Sequence, residues 1–426
     1  MKAVLSFFLS MLIILGLYIF AISDGEDSPT LTTPSTSDKK PDATLGYSPL
    51  NHQKPKAMWL SQFDMREIYT SDGKQRNTEE YTRLLERLIS NISSMGINTV
   101  FIQLRPNGDS IYPSEIYPTS VYAVGAYGND FSYDPFDIFL SMAHNAEISV
   151  HAWVNPLRCM SVKNIENIPD AYTVKRWYLD GKYIKEVDGY LYLDPAYEET
   201  RALIRSGVAE IIERYDVDGV HIDDYFYPTT DESFDEVSYL ALNDKKLSLG
   251  DFRRENTTRL VKSIYDTVKS ANPALLFGVS PSGNTKRNYS ELFADVQKWC
   301  REGYVDYLCP QIYFGFEHAT HPFDEVLSEF SKMTRNTSIS LIVGITLEKA
   351  DNGYRGLEDT WAGTGRSEWI TEKNIIKRSL DCVRTLDDTY GVALFSYRLL
   401  FDPITGEPKI ETREEYENFL PVFLEM

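Results

Sequence analysis

Cysteine is scarce in this sequence, four in 426 residues, at positions 159, 300, 309 and 382. Their separations match no metal-binding spacing. Cys-x-x-Cys and His-x-x-x-His are both missing, so a zinc site of the usual kind has no ligands to build on, and no metal or other cofactor is expected. A chain of this length can stabilise one large core without cross-links, so free buried thiols are expected. Gly-x-Ser-x-Gly is also absent and no Ser-His-Asp spacing stands out, which removes the serine-hydrolase elbow. Basic residues are in deficit, 43 Lys and Arg against 63 Asp and Glu, for a formal net charge of −20. Nucleic acid and anionic membrane surfaces are repelled by such a charge at long range, so neither is expected as a partner.

One long uncharged run does exist. Lys2 is followed by 20 residues without charge, 3–22, and the next charge is Asp24, the arrangement of an export signal. Ala21 and Ser23 suit cleavage after Ser23, yet the run is also long enough to span a bilayer as an uncleaved anchor, so residues 1–23 are expected to be one or the other. With Asp24, Glu26 and Asp27 after the run, either leaves the rest of the chain outside, in the extracellular space or cell envelope. Residues 24–56 are rich in Ser, Thr, Pro and Asp and are expected to form a flexible tether. The globular part is expected over residues 57–426, with a globular composition of 42% hydrophobic and 25% charged residues.

Beyond residue 57, short apolar runs alternate with long amphipathic stretches, the signature of βα units and a parallel sheet. Eight strands are expected, near 57–61, 99–105, 148–154, 218–223, 276–281, 307–313, 339–346 and 391–397, and eight is the closing number of a (β/α)8 TIM barrel. Between them, Asn77-Thr78-Glu79-Glu80 offers a capping box, and Gly96 a stop, for a helix carrying Tyr81, Leu84, Leu85, Leu88 and Ile92. Further helices are expected near 134–147, 196–215, 248–271, 290–302, 322–335, 371–386 and 413–424. Two connections are too long for turns. Residues 155–194 contain Asp180-Gly181, which reads as a hairpin turn, and residues 225–247 follow strand four. Loops after strands lie on the catalytic face of a barrel, so both are candidate walls of a cleft.

Side chains alternate along a strand, so residues two apart share a face. One parity is apolar in each of four strands: Val100, Ile102 and Leu104; Val150, Ala152 and Val154; Val220 and Ile222; and Ile312. The other parity ends polar, in Gln103 and Arg105, in His151, Trp153 and Asn155, in His221 and Asp223, and in Gln311 and Tyr313. These side chains are therefore expected at the barrel mouth, with Asp224 pointing away or beginning the loop. A buried polar group without a partner costs about 1–3 kcal/mol, so such a concentration suits a site better than a core. A carboxylate among hydrogen-bonding groups and aromatics fits a polyhydroxylated substrate. Glycoside hydrolysis usually needs a second carboxyl group, for which Asp224, Glu317 and Glu348 are the candidates. A non-catalytic glycan-binding barrel and a metal-dependent carbohydrate esterase or deacetylase are the competing classes.

Several blocks of residues recur in one order. They are Met58-Trp59-Leu60-Ser61, Gln103-Leu104-Arg105-Pro106-Asn107-Gly108-Asp109, His151-Ala152-Trp153-Val154-Asn155-Pro156 and Asp218-Gly219-Val220-His221-Ile222-Asp223-Asp224-Tyr225. Ser280-Pro281-Ser282-Gly283 and the stretch from Val305 to Tyr313 follow. Together they resemble the bacterial glycosyl-hydrolase-like family 10, from about residue 57 to 400. The resemblance implies a (β/α)8 barrel in the cell envelope that acts on glycans, peptide-free peptidoglycan strands among them. It implies that Asp223 and Asp224 are the acidic pair after strand four, with Arg105, His151, Asn155 and Gln311 in the same cleft. Asn107, Tyr225 and Ser280 join the expected substrate-binding set. Phe314 and Ser282-Gly283 depart from the family's usual Trp and Phe-Gly.

Overall fold

The computed structural model describes residues 47–386 and 391–426; the expected signal or anchor and most of the expected tether lie outside them. Eight parallel strands close into a barrel in which each strand neighbours the one before it and the first returns to the last. They are β1 (Lys56–Leu60), β2 (Thr99–Arg105), β3 (Ser149–Val154), β4 (Gly219–Ile222), β5 (Leu276–Val279), β6 (Tyr307–Leu308), β7 (Ser340–Thr346) and β8 (Gly391–Phe395). The eight main outer helices are α1 (Thr78–Ser94), α2 (Pro135–Asn145), α3 (Glu198–Arg214), α4 (Leu249–Ala271), α5 (Val296–Glu302), α6 (Phe323–Thr334), α7 (Ile375–Arg384) and α8 (Arg413–Glu425). All eight expected strands are present, and β6 is shorter than its apolar run. Pro310, which has no N–H to give a ladder, breaks it, and Gln311 continues only as isolated bridges to Ser282 and Gly344.

Alternation divides the core in two. The inner layer contains Ala57, Trp59, Phe101, Trp153, Tyr307, Cys309, Ile342 and Ala393. The outer layer places Val100, Ile102, Val150, Ala152, Val220, Ile222, Phe277 and Val279 against helix faces such as Leu84, Leu88 and Ile92 of α1. This outer packing sets the register, because a slip of one residue would turn every apolar side chain inward. The four cysteines are free, and all but Cys382 are fully buried.

Local chemistry corrects three expectations. The capping box at the start of α1 forms by half: the Asn77 side chain accepts the Glu80 N–H at 2.9 Å, while the Glu80 carboxylate turns to Arg76. A full box closes instead at Ser61 and Asp64, in the short helix after β1. Asp180-Gly181 ends a helix over Thr173–Asp180, with Gly181 left-handed at φ 73°. The hairpin turn is Asp188-Gly189, whose φ values of 51° and 78° meet the demand of a type I′ turn. It joins Ile184–Val187 to Tyr190–Leu193, and Arg158–Ser161 completes this three-stranded sheet between β3 and α3. Finally, the packed chain begins by residue 47 rather than 57. The carboxylate of Asp218 accepts from Tyr47 Oη and from the Leu50 N–H, both at 2.6 Å, and binds this segment to the N-terminal end of β4.

The loop after β4 is held from below by one buried ion pair. Arg253 of α4 donates to Asp235 through Nε and Nη2 and also reaches the Asp231 carbonyl, with both charged side chains fully buried. Its guanidinium packs over Tyr227 and Phe293, which gives the loop a small core of its own with Phe234.

Candidate active site

The floor of the site is a hydrogen-bonded aromatic layer inside the barrel. Trp59 Nε1–H donates to His221 Nε2 at 3.2 Å, which leaves the other His221 nitrogen, Nδ1, to donate to Tyr307 Oη at 3.0 Å. The Tyr307 hydroxyl then donates to His151 Nδ1 at 2.9 Å. Phe101 stacks on His221 with ring centres 4.2 Å apart. Burial depresses both imidazoles, His151 to about 4 and His221 well below its ordinary value, so the chain of donors is built from neutral rings. His151 and His221 thus lie beneath the pocket and hold its floor, outside the surface that lines it. Among the described residues no group of three or more His, Cys, Asp or Glu is placed to hold a metal ion.

Above this floor lies a narrow pocket of about 120 Å³. Gln103, Trp153, Asn155, Asp223, Asp224, Tyr225, Ser280, Gln311 and Tyr313, all expected in the site, line it. Gln103 is fixed from both ends: its Oε1 accepts the Gln62 N–H at 2.9 Å and its Nε2 donates to Asn155 Oδ1 at 2.7 Å. Trp153 Nε1–H donates to Asp223 Oδ2 at 3.0 Å, and the Tyr225 N–H to Asp223 Oδ1 at 3.3 Å. Desolvation, reinforced by the neighbouring Asp224 charge, pushes Asp223 up to about 8, so this carboxyl carries its proton at neutral pH.

Asp224 also lines the pocket, from the loop it was expected to begin rather than from a face pointing away. β4 ends at Ile222, and strict alternation ends with it. Its Oδ1 accepts from Gln311 Nε2 at 3.2 Å and its Oδ2 lies 3.8 Å from Arg287. Burial raises its pKa, against the opposing pull of Arg287 and Gln311.

Asp224, Tyr225, Gln311, Tyr313 and Phe395 are shared with a wider cleft of about 700 Å³. Glu348 stands on its wall, together with Arg287, Phe314, His318, His321 and Trp361. Glu317 lines neither space: it is exposed, and its N–H donates to the buried Glu368 carboxylate at 3.0 Å. Asn107 is buried in the turn after β2, where its N–H donates to Asp109, and is likewise outside both spaces.

Arg105 is the largest displacement from expectation. The β2–β3 register shifts between Gln103 and Arg105, so Arg105 pairs with outward-facing Val154. A β-bulge reverses the face of every residue after it. The guanidinium consequently lies outside the barrel, 4.4 Å from the ring centre of Tyr117 and donating to its hydroxyl at 2.9 Å. Alternation alone carries no sign of the bulge. It is equally silent about Arg158, Arg287 and Trp361, which enter from the short elements that follow β3, β5 and β7. Trp59, Phe63 and Phe395 line the pocket from β1, the helix after it and β8, where no polar residue at the strand end marks the site in the sequence.

An eight-stranded parallel barrel with carboxyl groups and aromatics at the C-terminal mouth of its strands defines a (β/α)8 protein with its pocket on the face where such barrels carry their sites. Residues 54–362 match the family model described as Glycosyl hydrolase-like 10, and the chain belongs to that family. It is 28% identical over 406 residues to the glycosyl hydrolase DigH of Escherichia coli K12, covering 89% of this chain and 90% of that protein. With the glycosyl hydrolase YngK of Bacillus subtilis it shares 30% identity over 319 residues, 70% of this chain; the match spans only 62% of the Bacillus protein. Among solved structures, the glycoside hydrolase domain of PgaB (BpsB) from Bordetella bronchiseptica aligns over 80% of this chain and 93% of its own, with TM-score 0.52 and 11% identity. The catalytic domain of a Paenibacillus polymyxa β-amylase aligns over 87% and 98%, with TM-score 0.53 and 11% identity. At these identities the likeness is one of fold.

Proposed function

We propose that this chain is an exported glycoside hydrolase acting on a cell-wall or related polysaccharide, with Asp223 as the proton donor and Asp224 as its carboxylate partner. The observation that carries the reading is the pairing of unlike carboxyls in one pocket. Asp223 is buried and protonated at neutral pH, while Asp224 faces Gln311 and Arg287. Two carboxyl groups with different environments are how a glycosidase keeps one acid and one base or nucleophile. Asn155, Ser280 and Gln311 supply hydrogen bonds to sugar hydroxyls, and Trp153, Tyr225 and Tyr313 supply ring faces. Peptide-free peptidoglycan strands are the first substrate to try, and the N-terminal run after Lys2 supports export to where they are found.

The test is cleavage of such strands by purified protein. General acid catalysis contributes on the order of 10²–10⁴-fold, so Asp223→Asn should lose at least about 10²-fold in kcat while its circular dichroism is unchanged. Asp224→Asn should show a comparable loss. Equal cleavage by Asp223→Asn and the native protein would remove Asp223 from the mechanism. Binding of the strands without cleavage by the native protein would turn the reading to a glycan-binding barrel.

A further inference from the structure

Of the six tryptophans, Trp59, Trp153, Trp299 and Trp369 are buried and Trp177 is half-buried, whereas Trp361 is 65% exposed. It stands on the wall of the wide cleft, in the short helical segment Thr360–Gly365 after β7. An exposed apolar side chain by itself needs no explanation. One whose backbone is fixed on both sides does. Just before it, Asp359 accepts the N–H groups of Trp361 and Ala362 at 3.0 Å, and the Lys349 ammonium and Asn352 Nδ2 at 3.1 Å. The Lys349 and Asp359 side chains are 5% and 7% exposed. Desolvation offsets much of the attraction in such a pair, so what it gives the segment is a fixed position. Just after Trp361, two glycines let the chain lie on the loop after β6. A Cβ on Gly365 would come within 2.9 Å of the His318 backbone nitrogen, and one on Gly363 within 2.9 Å of His318 Nε2.

The Arg287 guanidinium lies 5.2 Å from the Trp361 ring centre, and among the described residues no aromatic ring packs against it. Most of the indole therefore meets solvent in the cleft. That cleft, about 700 Å³, is continuous with the narrow pocket of about 120 Å³ and shares Asp224, Tyr225 and Gln311 with it. A sugar seated beside Asp223 thus fills a small part of a space that leads on to Trp361. Asn284, His318, Thr320 and His321 line the same cleft. A flat apolar ring among hydrogen-bonding groups suits a pyranose, which has C–H bonds on its faces and hydroxyls around its rim.

We propose that Trp361 is the platform of a remote subsite, on which one sugar ring of the glycan stacks while another occupies the narrow pocket. The proposal rests on the glycoside-hydrolase reading and adds a selection by chain length to it. A glycan too short to reach from Asp223 to Trp361 forgoes the contact. Binding energy gained away from the cleaved bond can be used at that bond, so short chains lose kcat as well as affinity. A purely structural task for Trp361, holding Arg287 beside Asp224, predicts a loss that is the same at every length.

The experiment measures kcat/KM on peptide-free peptidoglycan strands and on a ladder of shorter fragments of them. For the native protein, kcat/KM should step up by about two- to tenfold at the length that first reaches Trp361, the worth of a stacked ring pair. Trp361→Ala should lose the step and match the native protein on fragments below it, and Trp361→Phe should keep part of it. A native protein indifferent to length, or a Trp361→Ala variant that loses by one factor at every length, would overturn the proposal. If nothing is cleaved, the hydrolase reading fails by itself, and acrylamide quenching of tryptophan fluorescence decides the subsite. Trp361 supplies the quenchable signal that the native protein has and Trp361→Phe lacks. Protection of that signal by long strands but not by short fragments supports the platform; equal protection by both, or none, refutes it.

Discussion

Asp223 is held neutral by its position: 2% exposed, it meets an indole N–H, a backbone N–H and another acidic residue, and the nearby charge of Arg158 opposes the effect of burial without overcoming it. The sign of the consequence is fixed by linkage. Its folded pKa, about 8, lies above the ordinary carboxyl value, so the stability associated with the neutral form is complete below about pH 4 and declines as pH rises towards 8. Asn at this position still accepts from Trp153 and never ionises. Asp223→Asn should therefore match the native protein near pH 4 and become more stable above it, by on the order of 2–5 kcal/mol at pH 8.5. Urea unfolding at a series of pH values measures this, and a gap that does not widen with pH would mean Asp223 is ionised throughout. In the active enzyme the same group predicts a fall in kcat/KM on the alkaline side near pH 8. The need for a carboxyl here was legible in the sequence, because β4 alternates cleanly up to Ile222. Asp224 and Arg105 were legible as residue types but not in direction, since a strand end and a bulge each cancel alternation.

At the scale of elements, the floor depends on β5 and β6 approaching closely. A Cβ on Gly278 would lie 2.0 Å from the Tyr307 ring, whose hydroxyl joins both imidazoles. Gly278→Ala must push that ring aside. Overpacking of this kind costs about 1–3 kcal/mol, and the loss of the shared hydroxyl adds to it. The expected result is a lower denaturation midpoint together with a change in the His151 and His221 imidazole signals by nitrogen NMR. Unchanged imidazole signals would show that the floor does not need Tyr307 where it stands. The strands themselves were readable from their apolar runs because each is buried on both faces, as parallel strands are. The connections were less readable. Asp180-Gly181 and Asp188-Gly189 are the same dipeptide, and what separates a helix cap from a hairpin turn is the period of the residues before each. Arg158 belongs to this less readable part, as its strand forms only by pairing with Tyr190–Leu193.

For the whole molecule, eight βα units closing on themselves fix where the pocket lies, and the opposite end of the barrel is then free for a structural task. Asp218 performs it, one residue before β4 and on the face away from the site. Its carboxylate accepts from Tyr47, Leu50, His144 and Val150. Burial by itself would raise its pKa, but these donors outweigh it and hold Asp218 below the usual carboxyl value. A depressed folded pKa means that its stability contribution is present above about pH 4 and disappears as pH falls through the folded pKa. Asp218→Asn leaves one oxygen for four donors and should lose about 2–4 kcal/mol at pH 7, with a weaker dependence on pH below 4 than the native protein. Tyr47→Ala removes one donor and should cost less, about 1–2 kcal/mol, mainly by freeing the segment before β1. Thermal unfolding between pH 2 and 7, with limited proteolysis near residue 50, checks both. Because the clasp lies at the far end of the barrel, neither variant should shift the alkaline limb set by Asp223. A shift there would mean that the two ends of the barrel are coupled through β4.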